Sequence, residues 1–234
     1  MNPDPALVAA LTTAVLPPGL GVAAGDLTSV PPQPYPAEAG AVRDAIPARI
    51  VEFHTGRTAA RAAMRAISLP EQPVLMAQTR APIWPDGMTG SISHSKTACV
   101  AVVGKSCEWA GIGVDLEEAT ALDALLIAEV CTKAERLWLG TQPEHERGLM
   151  AKLIFSAKEA CYKAQYPVTG LLFGFDVLEL AIDRKGSHFE ASFCTAQGPF
   201  NTGEILHGRF AHAAGLLVTG VAIRHSGNTR ILNG

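Results

Sequence analysis

The 234-residue chain lacks the marks of several large protein classes. Its five cysteines (Cys99, Cys107, Cys131, Cys161 and Cys194) are odd in number and form no CxxC pair, which fits reduced, mostly structural thiols better than a disulfide framework. No HExxH or other His/Cys spacing suggests zinc, and the glycines match neither a P-loop nor a dinucleotide fingerprint. There is no basic tail or stripe and the formal net charge is -3, which disfavours a dedicated nucleic-acid binder. The apolar run near the N-terminus has no basic residues ahead of it and reads poorly as a signal peptide. No segment supplies a clean membrane helix, so a cytoplasmic location is expected. A convincing Ser–His–Asp or Cys–His arrangement is also missing.

What is present is a globular composition, 48% apolar and 18% charged, sized for one large domain or two small ones. Charge is unevenly spread. Residues 43–105 hold eight Arg or Lys against four acids, and residues 106–160 hold ten acids against five bases. A positive first half facing an acidic second half suits a polyanion bridged by a metal ion; ordinary sampling of surface charge gives the same counts.

The pattern predicts a helix over 5–15, a proline-rich loop over 27–42 and a helix over about 45–67, stopped by Pro70 and Pro73. Residues 80–90 read as a rigid loop, after which SISHS leads into a buried strand, TACVAVVG. A second apolar run, WAGIGVDLE, is expected to pair with it antiparallel through a turn at Gly104–Ser106. Helices are expected within 121–139 and from Glu146 to Gln165, the latter closed by Pro167 and Gly170. Strands follow in FGFDVLELAI, HFEASFC and GLLVTGVAI. This order suggests α+β rather than a parallel α/β sheet.

Three groups of residues bear chemistry. Asp115 and Glu117 are two apart on a strand and point the same way, with Leu116 turned to the core. Two carboxylates held together repel unless neutralised, and a hard cation such as magnesium neutralises them; alone, D-x-E is more often an acidic turn. Glu159 and Lys163 are four apart and share a helix face: either a third metal ligand with a phosphate-facing lysine, or an ordinary surface pair. Lys158 lies one step round from Glu159. Arg57, Arg61 and Arg65 also share a helix face, set against an anion or against water and distant acids. His94, in SISHS at a strand entrance, is placed to meet a phosphate with Ser91 or Ser93, or is a capping histidine.

Taken together, GRTAARAAM (56–64), RAPIWPDGMTGSISHS (80–95), GIGVDLE (111–117) and FSAKEACYKA (155–164) resemble the 4'-phosphopantetheinyl transferases, in the family's order and over about half the chain. The nearest likeness is to the enterobactin-synthetase-component-D type within the longer, monomeric, surfactin-type branch. The resemblance implies two similar α+β halves related by a pseudo-twofold axis, 1–108 and 109–234, with coenzyme A in the cleft between them. It implies Mg2+ on Asp115, Glu117 and Glu159, and coenzyme A phosphates on Lys163, His94 and Arg57, with Arg61, Arg80, Ser93 and Lys158 as further contacts. Trp84, Pro85 and Gly87 resemble the loop shaping the adenine side. The implied reaction moves 4'-phosphopantetheine to a serine of an apo acyl or peptidyl carrier domain, with Glu159 as base and Glu117 as its fallback, in siderophore or other secondary metabolism. Phe155 stands where the family often has Trp. Leu125, Leu126 and Ile127 are candidate carrier contacts, with burial in the core the simpler expectation.

Overall fold

The computed structural model describes residues 4–30 and 32–225, so the ends of both expected halves, 1–3 and 226–234, lie outside the described residues. Helix α1 (Pro5–Ala14) starts on Asp4, whose carboxylate accepts from Ala6 N–H, with proline at the first helical position. Strand β1 (Gly21–Asp26) follows. The proline-rich stretch read as loop contains a short helix, α2 (Pro36–Ala39). Helix α3 (Pro47–Ala66) matches its expected place. Two short strands, β2 (Leu75–Met76) and β3 (Pro82–Ile83), pair across a turn at 77–81. Then come β4 (Met88–His94), β5 (Ala98–Lys105) and β6 (Trp109–Glu118). Three helices follow, α4 (Ala124–Val130), α5 (Lys133–Thr141) and α6 (Glu144–Thr169). The chain closes with β7 (Leu178–Asp183), β8 (His188–Phe193), β9 (Ile205–Ala213) and β10 (Leu216–Arg224).

The strands form two main antiparallel sheets, β1-β5-β4 and β6-β10-β9-β8-β7. The expected β5–β6 ladder is therefore not made. The turn between them exists, with Glu108 N–H donating to Lys105 O, but β5 is a central strand whose edges are filled by β1 and β4. β6 instead takes the edge of the second sheet beside β10 and meets β4 across the seam. There the Ser91 hydroxyl accepts from Val114 N–H (3.1 Å) and the Ser93 hydroxyl from Leu116 N–H (3.2 Å). Side-chain oxygens thus take the place of ladder carbonyls where the sheets join.

The even residues of β6, Ile112, Val114 and Leu116, are fully buried with Val100 and Val102 of the first sheet and Val8 of α1, a core shared by both sheets. The odd residues face α6. At Gly111 an added Cβ would lie 1.9 Å from Ala164 O, and at Gly113 1.8 Å from Ala160 O. The glycines let the helix backbone rest directly on the strand, running antiparallel to it. The same device serves α3, where a Cβ on Gly21 of β1 would lie 2.0 Å from Ala63 O.

Pro167 does not close α6. It lacks an N–H and so forfeits one bond to the preceding turn, but the helix continues to Thr169 and ends at Gly170, whose left-handed φ of 66° lets its N–H reach Tyr166 O. Among the described residues no helix is long and apolar enough to cross a membrane. All five cysteines are free; Cys99, Cys131 and Cys161 are buried.

The close approach of α6 to β6 predicts that Gly113→Ala, which sets a methyl against a backbone carbonyl, lowers stability by about 3 kcal/mol or more. Urea unfolding followed by circular dichroism measures it; a loss under about 1 kcal/mol would show that the helix can back away from the strand.

Candidate active site

The odd-face register of β6 continues past the glycines, so Asp115 and Glu117 project toward α6. On α6 the side chains at 152, 159 and 163 share one stripe, since seven and eleven residues are close to whole turns. Two lysines of that stripe hold the two acids of the strand. Lys163 Nζ lies 2.6 Å from Asp115 Oδ1, and Lys152 Nζ lies 3.0 Å from Glu117 Oε2. Lys163 also donates to the Ser93 hydroxyl (3.1 Å) and Val114 O (3.2 Å). Ser93 donates in turn to Asp115 Oδ1 (2.9 Å), so the two halves and the helix meet at one carboxylate.

Glu159 stands between the lysines. Burial pushes its carboxyl above the usual range; Lys163 opposes this, while the charges of Asp115 and Glu117 add to it. Glu117 is likewise raised, by burial first and Asp115 second, against its bond to Lys152. The three acids are thus electrostatic neighbours. Asp115 is 4% exposed, and its second oxygen, Oδ2, is buried with no hydrogen-bond partner. A buried carboxylate oxygen without a donor, next to two carboxyls that resist ionisation, fits a small oxygen-seeking cation. As the side chains stand, no group of three His, Cys, Asp or Glu among the described residues is placed to hold a metal ion, and Asp115 and Glu117 are each paired with a lysine.

Two cavities flank this cluster. One of about 370 Å³ spans the seam, lined by Arg80, Trp84 and Ser91 from the first half and Tyr162, Lys163 and Tyr166 from α6. Tyr166 Oη reaches Thr79 Oγ1 across it (3.2 Å). Arg80 takes a left-handed φ of 67° at the tip of the β2–β3 turn. The other, about 190 Å³, is lined by Glu159, Tyr162, Phe173 and Phe175. Tyr162 borders both. His94, at the end of β4 and 38% exposed, has Nε2 3.5 Å from Glu52 Oε2 of α3.

Three expected phosphate contacts have other partners. Lys158 is 1% exposed, and its ammonium donates to Glu135 Oε2 (2.8 Å), Val130 O (2.9 Å) and Phe175 O (2.9 Å). That engages all three of its donors, because its one-step offset from Glu159 turns it into the protein, toward α4 and α5. Arg61 forms a buried pair with both oxygens of Glu38 (2.8 and 2.7 Å), and Glu38 also accepts from Val74 N–H. Arg57 donates to Val74 O (2.8 Å) and Leu75 O (3.3 Å), and burial pushes its guanidinium down to about 10. Arg65 pairs with Glu71. The arginine face of α3 thus holds α2 and the segment leading to β2, and α2 supplies the acid that the sequence pattern left unplaced. Leu125 and Leu126, expected in the core, are exposed.

Sequence spacing alone does not single out Lys152: seven residues from Glu159 put it on the same helix face, but only the strand register shows which acid it meets.

Lys158→Met breaks a fully buried ion pair and is expected to cost about 3–5 kcal/mol, measured by urea unfolding; an unchanged stability would free Lys158 for ligand contact. Because folding raises the carboxyl of Glu159, its charged form is disfavoured in the folded chain, and stability falls as pH climbs from the ordinary carboxylate range toward the raised value. Glu159→Gln in the metal-free protein is therefore expected to raise the melting temperature by a few degrees at neutral pH, with the gain vanishing in acid below the ordinary range. A melting series across pH checks both parts.

Two family models match the chain: the 4'-phosphopantetheinyl transferase N-terminal domain over residues 37–104, and the 4'-phosphopantetheinyl transferase superfamily over residues 111–214. The chain is 38% identical over 218 residues to 4'-phosphopantetheinyl transferase Svp of Streptomyces mobaraensis, covering 90% of this chain and 88% of that one. It is 31% identical over 229 residues to 4'-phosphopantetheinyl transferase PptT of Mycobacterium tuberculosis, covering 92% and 99%. Likeness to enterobactin synthase component D of Salmonella typhimurium, 36% over 122 residues, is confined to 50% of this chain and 48% of that one. No single branch is favoured by these relatives. A two-domain α+β chain whose halves meet at a lysine-bound carboxylate cluster, matched by both domain models and by relatives along nearly its whole length, belongs to the 4'-phosphopantetheinyl transferase superfamily of enzymes.

Proposed function

We propose that this chain transfers 4'-phosphopantetheine from coenzyme A to a serine of an apo carrier-protein domain. The observation that carries the reading is the cluster at the seam: Asp115, Glu117 and Glu159 from the second half, Lys163 between them, and a cavity running from Lys163 to Arg80 of the first half. The halves are divided at 108/109 and related by a pseudo-twofold axis, a reading supported by the glycine-mediated contact of a long helix on each sheet.

Coenzyme A lies across the seam, its nucleotide end toward Arg80 and His94 and its diphosphate at Lys163. Arg57, Arg61 and Lys158 act from behind, by holding the segments that form the walls. Asp115, Glu117 and Glu159 would hold Mg2+, which as a Lewis acid would polarise the diphosphate and stabilise the departing phosphate. Lys163, freed from Asp115, neutralises charge that builds on the phosphoryl oxygens. The carrier serine attacks the phosphorus bearing pantetheine. A P–O bond to serine forms, the P–O bond to the bridging oxygen breaks, and adenosine 3',5'-bisphosphate leaves. Glu159 takes the serine proton, with Glu117 as the alternative; burial raises both carboxyls, which makes each a stronger base than an exposed carboxylate. The enzyme supplies no nucleophile of its own. Carrier contacts include exposed Leu125 and Leu126 on α4, and the enzyme works as a monomer in the cytoplasm. The four motifs favour the surfactin-type branch, like enterobactin synthetase component D, and a carrier of siderophore, nonribosomal-peptide or polyketide synthesis.

The test is incubation with coenzyme A, Mg2+ and a panel of apo carriers, read by intact mass. Phosphopantetheine is expected on the carrier serine, abolished by chelator and reduced by about 10³-fold in Glu159→Gln and Lys163→Met. Hydrolysis of coenzyme A with every carrier unmodified would point instead to a phosphohydrolase.

A further inference from the structure

Lys152 has no part in the chemistry above, yet its ammonium is spent on one of the three acids. It lies 3.0 Å from Glu117 Oε2, with the two side chains 14% and 22% exposed, and its Nζ sits 5.5 Å from the centre of the Phe155 ring. The pair is therefore shielded from water on the Phe155 side, which strengthens its Coulomb interaction relative to an open surface pair. Lys163 holds Asp115 in the same way. The two lysines differ in what becomes of them on loading. Lys163 borders the seam cavity and can exchange Asp115 for substrate phosphate. Lys152, three turns earlier on α6, lines neither that cavity nor the one beside Glu159.

The geometry points to Lys152 as a positioning residue that acts as an internal counter-ion: it holds the acid cluster together without a metal and competes with the metal for Glu117, so setting the concentration at which the ion binds. Three neighbouring carboxylates without a cation repel one another, and here lysines sit on two of them, Lys163 on Asp115 and Lys152 on Glu117. An ammonium on one of them relieves that repulsion. The same ammonium must be pushed aside, or left facing the ion, when a divalent cation arrives, and either outcome weakens binding. An internal counter-ion thus keeps the free enzyme folded and leaves the metal site weaker, though still able to bind, until other negative charge such as a diphosphate joins the three acids.

The inference rests on the magnesium reading, and the experiment separates the two. Mn2+ replaces Mg2+, and binding is followed by the EPR signal of the free ion in the whole protein without coenzyme A. Lys152→Met is expected to bind Mn2+ about fivefold tighter than the parent, the order of effect of removing one charge at a few ångströms in a partly wet site. Lys152→Arg, which keeps the charge, is expected to match the parent. Melting in chelator should drop for Lys152→Met and be restored by Mn2+ by a larger step than in the parent. A purely structural lysine would lower melting with and without the ion and leave the affinity alone. Equal or weaker binding by folded Lys152→Met overturns the counter-ion role while leaving the magnesium reading intact. No Mn2+ binding by the parent overturns both.

Discussion

The contact on which the rest depends is that of a helix backbone on a strand backbone at Gly111 and Gly113. Any side chain at those places would meet the carbonyls of Ala164 and Ala160. With none present, α6 lies low on β6, and the same strand face that is bare at 111 and 113 carries carboxylates at 115 and 117. The helix therefore delivers Lys152, Glu159 and Lys163 at the height where those carboxylates project. One alternation thus serves both packing and chemistry: even residues of β6 fill the core between the sheets, and odd residues give first a bed for the helix and then a charged cluster.

The seam adds a second constraint. β4 and β6 are edges of different sheets, and hydroxyls of Ser91 and Ser93 accept the backbone N–H groups that a ladder partner would otherwise take. Ser93 also binds Asp115 and Lys163. A serine that joins the halves is thus part of the hydrogen-bond shell of the carboxylate cluster, so the relative placement of the halves and the geometry of the acids are not independent. Behind the walls lie two buried ion pairs, Lys158 with Glu135 and Arg61 with Glu38, each tying a long helix to short helical segments and to backbone groups. Such pairs contribute less to net stability than to fixing one arrangement, since a lone partner would be left charged and buried.

Local pattern carried much of this. Alanine-rich α3, the α6 segment and the two-residue spacing of Asp115 and Glu117 are legible because period and composition alone dictate them. Strand pairing is not local: β5 and β6 look like a hairpin until β1 and β4 claim both edges of β5. β1 and β9 are not legible locally because glycine, alanine, histidine and arginine dilute their apolar signal, and their strand character comes from neighbours. Lys158 illustrates the limit at single residues. One position on a helix is a turn of about 100°, enough to aim the Lys158 ammonium at Glu135 and two backbone carbonyls at the wall of the cavity beside Glu159. Charge spacing identified a cationic face on α3 but not its partners, because Glu38 and Glu71 arrive from distant segments.

The central claim is that acids from β6 and α6 share one divalent ion that also meets the diphosphate of coenzyme A. Phosphorus ENDOR on the protein loaded with Mn2+ and coenzyme A measures this directly. A phosphorus coupling of directly bound diphosphate is expected, lost in Asp115→Asn. An ion that binds without phosphorus coupling, or a coupling indifferent to Asp115, would contradict it.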